Sequence, residues 1–110
     1  MRWYGSLRRA AHIAQVRRRG RRVSLPTLSA YGLAASGGAS EIGITVSKAL
    51  GSAVCRNLVR RRIRGALDEL GPAQPAPARL LLVARPPAAQ VPYRQLAADV
   101  AAAVAQLARR

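Results

Sequence analysis

Between residues 42 and 71 the apolar period of the chain changes once, from about two to about 3.6 residues, and the change dictates a strand followed by a long helix. Ile42, Ile44 and Val46 alternate with Gly43, Thr45 and Ser47, the clearest strand pattern in the chain. Lys48-Ala49-Leu50-Gly51-Ser52 then reads as a glycine-containing turn, with Ser52 placed to cap the long helix. From about Ala53 to Leu70 the apolar residues fall at helical spacing, and Gly71-Pro72 is a strong stop signal.

That helix has two chemically different faces. The segment from Arg56 to Arg64 holds five arginines and one asparagine. At about 100° per residue, with Arg56 as zero, Arg56, Arg60, Arg64, Asn57 and Arg61 fall between about 0° and 140°. Val59, Ile63, Ala66, Leu67 and Leu70 fall between roughly 280° and 20°. One arc is fit for burial while its neighbour presents a dense guanidinium array. Arginines this close repel one another, so the array calls for a polyanion, and the helix is expected to bind RNA.

The rest of the composition points the same way. Eighteen arginines and one lysine face only Glu41, Asp68, Glu69 and Asp99, a formal charge of +15 on 110 residues. Such an excess favours phosphate backbones and counterion release. Arginine adds flat, bidentate phosphate donors that also stack on exposed bases. A GC-rich coding sequence also raises Arg and Ala together, which accounts for arginine in place of lysine but not for the charge.

Catalytic groups are scarce. Cys55 is the single cysteine, near the apolar arc of the helix, and is expected to be a small core residue; no disulfide framework or cysteine metal cluster is possible. His12 stands alone, and the adjacent Asp68 and Glu69 point about 100° apart on a helix, as solvated charges near its end. A protein nuclease usually needs carboxylates for metal ions or a histidine pair, so a self-sufficient nuclease is the least favoured reading. No apolar run approaches a transmembrane span. The acid-free N-terminal segment superficially resembles an organelle transit peptide, yet it leads without a break into folded sequence, and a cytoplasmic location is expected.

Other elements are marked less completely. Residues 6 to 18 suit a short helix interrupted by Gly20. The run Arg17-Arg18-Arg19-Gly20-Arg21-Arg22 is either a solvated charge cluster, a disordered arm or part of a binding surface. Val23 to Ala35 has a mixed strand pattern, strongest at Leu28, Ala30 and Tyr31, and Ser36 to Ser40 reads as a hairpin connection. Leu80-Leu81-Leu82-Val83-Ala84 is apolar throughout and reads as a central buried strand. A last helix starts near Pro92, with Leu96, Val100, Ala103, Val104 and Leu107 on its core face. The prediction is one α+β domain over residues 1–110, a small two-layer sandwich in the order helix, strands, helix, strand, helix.

Three stretches together resemble the signature of the bacterial ribonuclease P protein subunit: Glu41 to Lys48, Gly51 to Asn57, and Arg60 to Arg64. Ile13, Val16, Gly20 and Tyr31 fit that family's N-terminal spacing, and Leu81-Leu82-Val83-Ala84-Arg85-Pro86 its last strand, so the resemblance spans about residues 7–107. It implies a protein cofactor of a ribonucleoprotein whose RNA carries the active site and cleaves precursor tRNA to give the mature 5′ end, with Mg²⁺ held mainly by RNA phosphates. It also implies a left-handed strand–helix–strand crossover, against the usual hand. By position it assigns Arg56, Asn57, Arg60, Arg61 and Arg64 to the catalytic RNA, with Lys48 and Ser52 just before them. The 5′ leader would lie in a cleft between the sheet and the first helix, at Tyr31, Ile13 and Arg17. The residues leave Tyr31 open between base stacking and half-buried strand packing. No catalytic residue, protein-held metal, membrane or protein partner is implied.

Two departures stand out. Leu58 occupies a position usually basic in the family, and the family's cleft phenylalanines are replaced by Ile13 and Arg17 in a chain with no phenylalanine. The segment before the match, including Trp3, receives no role. Two other readings compete, a ribosomal or RNA-chaperone module and a DNA-binding helix-turn-helix. The first is opposed by the position of the Arg-Asn helix directly after Val-Ser-Lys and the loop, the second by a strand where a helix should precede.

Overall fold

The computed structural model describes residues 3–33, 40–71 and 77–108. Its elements are β1 (Tyr4–Ser6), α1 (Ala10–Arg19), β2 (Arg21–Ser24), β3 (Leu28–Leu33), β4 (Ser40–Val46), α2 (Ala53–Leu70), β5 (Arg79–Ala84) and α3 (Tyr93–Ala108), with short 3₁₀ turns at Lys48–Leu50 and Pro86–Ala89. The five strands form one mixed sheet in the order β1-β4-β5-β3-β2. β5 runs parallel to β4 and antiparallel to β3, so β4, α2 and β5 make a strand–helix–strand crossover between parallel neighbours.

The uniform apolarity of β5 explains the architecture. Leu80, Leu82 and Ala84 join Leu28, Ala30 and Ile42 in the main core, under Val59, Ile63 and Leu67 of α2 and Leu96, Val100, Val104 and Leu107 of α3. Leu81 and Val83 point to the opposite face, where they pack with Leu7, Val16, Ile13, Tyr31 and Leu33. The α+β class holds, with the sheet and α2/α3 as its two principal layers. Because β5 is apolar on both faces, each needs cover, and α1 adds a smaller layer on the second face.

Several local expectations change. The first helix starts at Ala10, not residue 6, because Tyr4–Ser6 pair in parallel with Ser40–Ile42 as an edge strand. The region after Gly20 is two antiparallel strands, and β2 takes Arg21 and Arg22 from the basic run. The expected hairpin connection falls largely on residues outside those described, but β3 and β4 are not hairpin partners, since β5 lies between them. Cys55 is half-buried in the first turn of α2, its thiol 3.3 Å from the Leu50 carbonyl, because that turn, with Ala53 and Val54 exposed, precedes the buried stripe that begins at Val59.

Ser52 caps α2 as expected, its hydroxyl accepting from the Cys55 amide at 3.2 Å. Leu70 ends the helix, and Gly71 comes next at φ 71°, a left-handed conformation that favours glycine. The five apolar residues chosen for the last helix are all buried.

Candidate nucleic-acid interface

α2 divides as its projection requires. Val59, Ile63, Ala66 and Leu67 are buried; Arg56, Arg60 and Arg64 are half-buried along their stems; Asn57 and Arg61 are exposed. Val54, Asn57, Arg60, Arg61 and Arg64 line one shallow depression on the outer side of the helix. Asn57 Oδ1 accepts from Arg60 Nη1 at 2.9 Å, which holds that guanidinium against the helix and leaves the Asn57 amide donors outward. Arg56 Nε is buried and finds no hydrogen-bond partner among the described residues, a donor unmet within this part of the chain.

The electrostatics are one-sided. The first turn of α2 carries no acid, so the positive end of the helix dipole and Arg56 lie together without a local counter-charge. Asp68 and Glu69 lie at the far end of the helix. From Arg56 to Asp68 is about 18 Å along the axis at roughly 1.5 Å per residue. That is beyond the roughly 8 Å screening length at physiological salt. Lys48 and Ser52 are both exposed ahead of the helix, Lys48 in the 3₁₀ turn after β4 and Ser52 with its hydroxyl already used as the cap.

The second predicted group meets on the opposite face of the sheet. Ile13 and Tyr31 are half-buried against Leu7, Val16 and Leu81. The Arg17 guanidinium carbon sits 5.5 Å from the centroid of the Tyr31 ring. A residue that sequence reading did not single out joins them: Arg22, cross-strand from Tyr31, lies 5.9 Å from the same centroid. The register of β2 with β3 was the missing information. Both guanidinium groups are within cation–π range, so Tyr31 is packed and charge-flanked at once.

Among the described residues, no three of His, Cys, Asp and Glu gather as ion ligands, and His12 lies half-buried on α1. No described helix is long and apolar enough to cross a membrane.

Known proteins share both sequence and shape with this chain. The model of the family described as Ribonuclease P matches residues 1–108. The ribonuclease P protein component of Kocuria rhizophila is 38% identical over 104 residues, covering 94% of this chain and 92% of that protein. Its counterpart from Nocardioides is 39% identical over 97 residues, covering 86% and 83%. The fold is that of the Thermotoga maritima RNase P protein, with a TM-score of 0.81 at 15% identity over 92% of this chain and 96% of that one. The Staphylococcus aureus RNase P protein superposes with a TM-score of 0.77 at 23% identity over 99% and 97%. A strand, a glycine turn and an Arg-Asn helix in this order, matched by sequence over nearly the full chain, have one consequence: the chain belongs to the ribonuclease P protein component family.

Proposed function

We propose that this chain is the protein cofactor of a cytoplasmic ribonuclease P, the endoribonuclease that removes the 5′ leader from precursor tRNA. It binds the catalytic RNA through Arg56, Asn57, Arg60, Arg61 and Arg64, with Lys48 and Ser52 at the entrance to the same helix. Tyr31, Ile13 and Arg17 receive the leader. The observation that carries the reading is the division of α2, whose buried stripe anchors it on the sheet while its outer side lines a depression with three arginines and one asparagine.

The chain's part in the reaction is positioning and charge. Its guanidinium groups neutralise phosphates that would otherwise repel one another when substrate and catalytic RNA come together, releasing condensed counterions. Mg²⁺, held by RNA phosphates and not by this chain, would supply the Lewis-acid chemistry of the cleavage. The described residues do not fit as its holder, since no carboxylate cluster forms, and RNA phosphates are the ligands in this reading. No residue of this chain is assigned a catalytic role.

Reconstitution tests the proposal. Purified protein alone leaves precursor tRNA uncut, and together with its cognate RNA it lowers the Mg²⁺ needed for cleavage. No effect on rate, substrate affinity or Mg²⁺ requirement would overturn the assignment. Arg60→Ala or Arg61→Ala is expected to weaken RNA binding by about 1–3 kcal/mol, as a lost charge-assisted contact does. Each also flattens the salt dependence by about one unit per phosphate. Unchanged binding on both counts would return these arginines to plain solvated surface.

A further inference from the structure

β1 is shorter than the strand it covers. It pairs with Ser40–Ile42 only, and β4 continues to Val46. The Leu7 amide donates to the Ile42 carbonyl at 3.1 Å, closing the last contact of that edge. Alternate residues of a parallel strand turn their backbone polar groups toward the same neighbour, so Ile44 faces the side that β1 has vacated. A notch of about 350 Å³ opens there, lined by Ser6, Arg8, Gly43, Ile44 and Arg64, among others. The charged groups lining it are two guanidinium groups from different parts of the chain, Arg8 ahead of α1 and Arg64 on α2. The acid nearest along β4, Glu41, does not line the notch and pairs instead with Arg79 Nε at 3.5 Å.

Resting on the RNA-binding reading of α2, we propose that this edge notch is a second nucleotide site, in which Arg8 and Arg64 clamp one backbone phosphate of an RNA strand crossing the open edge of β4. Three features favour RNA over a strand-adding peptide. Both charged groups are arginines, suited to bidentate contact with phosphate oxygens. Ser6 and Ile44 line the same notch, adding a hydroxyl and backbone polar groups to its wall. Arg64 also lines the depression on α2, so the notch continues that surface and does not stand apart from it. The volume is near the lower end of the roughly 300–1,000 Å³ of ligand clefts, room for one nucleotide and not for a duplex. The track therefore runs from α2, past Arg64, to Arg8 at the start of the helix that bears Ile13 and Arg17.

Arg8 gives the cleaner test, because it is exposed and has no part in the α2 surface. Arg8→Ala and Arg8→Lys are compared with the parent protein for binding to the cognate catalytic RNA, and, in the holoenzyme, to precursor tRNA with and without its leader. Each is measured across a salt series. The expected result is about tenfold weaker binding for Arg8→Ala, as for one lost charge-assisted contact. Its salt slope falls by about one unit, while Arg8→Lys keeps most of the slope. Loss with the catalytic RNA alone assigns the phosphate to that RNA; loss only with the leader-bearing substrate assigns it to the leader. Unchanged affinity and slope in every arm, with an unchanged melting temperature, overturns the notch as an RNA site, whether it is empty or takes a peptide. If the parent protein itself fails to bind the RNA, the broader reading falls instead.

Discussion

Leu58 stands 38% exposed between Asn57 and the arginines of the next turn, and Val54, four residues earlier, is 79% exposed. Neither side chain belongs to the buried core or packs against it, so position 58 can change without opening a cavity there. Leu58→Arg should shift stability by no more than about 0.5 kcal/mol, as substitutions at such surface sites do. If the outer side of α2 lies on RNA, the new guanidinium adds a phosphate contact and steepens the salt dependence by about one unit. A salt titration checks this, and an unchanged slope would mean that position 58 faces away from the RNA. The arginine face was legible because it needs only helical geometry. Trp3 was not legible. Its indole donates to the Leu67 carbonyl at 2.8 Å across most of the chain, and its ring packs on the main core. Only the folded path brings residues 3 and 67 together. Thr27 is similar: buried, it is held by Asp99, which accepts from its amide at 3.1 Å and its hydroxyl at 2.6 Å. Asp99 read from sequence as merely one of four acids.

At the level of elements, the best-marked segments were those with their own punctuation. α2 carries its stripe within its own residues and its cap and glycine stop directly beside them, and its bounds match expectation. β1 has three residues and no alternation to detect, and it exists only because β4 offers an edge. α2 and α3 are joined by a contact that makes a prediction. The Tyr93 hydroxyl donates to Glu69 Oε1 at 2.7 Å, near the start of one helix and the end of the other. The hydrogen bond to Glu69, followed by desolvation and the charges of Glu69 and Asp68, holds the phenol above its ordinary value of 10.0. A group raised in the folded state stabilises it fully below the unfolded value, and that contribution disappears as pH rises through the folded one. Parent protein should therefore melt above Tyr93→Phe from neutral pH to about pH 10, with the gap closing at higher pH. Melting curves over that range are the check. A gap that persists on the alkaline side would assign Tyr93 to packing alone, beside Gly65 of α2.

For the whole molecule, the order of strands lay beyond local pattern. The apolar run of β5 marked it as central, and the family resemblance implied a cleft between the sheet and the first helix, but no local pattern stated that β5 would part β3 from β4 or which face α1 would cover. Placing α1 there sets the Tyr31 cluster and the α2 arginines on opposite faces of one sheet, with the β4 edge between them. It also leaves arginines on both faces and at that edge. Four carboxylates cannot neutralise nineteen cations even if all are paired, and the molecule measures only 37 × 28 × 26 Å. At about 0.01 M salt the screening length is roughly 30 Å, comparable with the whole protein, so the charges repel across it; at about 0.15 M it is roughly 8 Å and only neighbours interact. The folded state holds those charges closer together than the unfolded chain does, so it bears most of the repulsion. The melting temperature should therefore climb from about 10 mM to about 150 mM sodium chloride and then level off. Adding the cognate RNA at low salt should raise it again, since a ligand at about a hundred times its Kd stabilises by about 2.7 kcal/mol, on the order of 10 °C for a chain of this size. Calorimetry along the salt series, with and without RNA, separates the two effects. A melting temperature flat across the whole salt range would mean that the arginines are compensated locally, and the excess charge would then give no general pull toward a phosphate backbone.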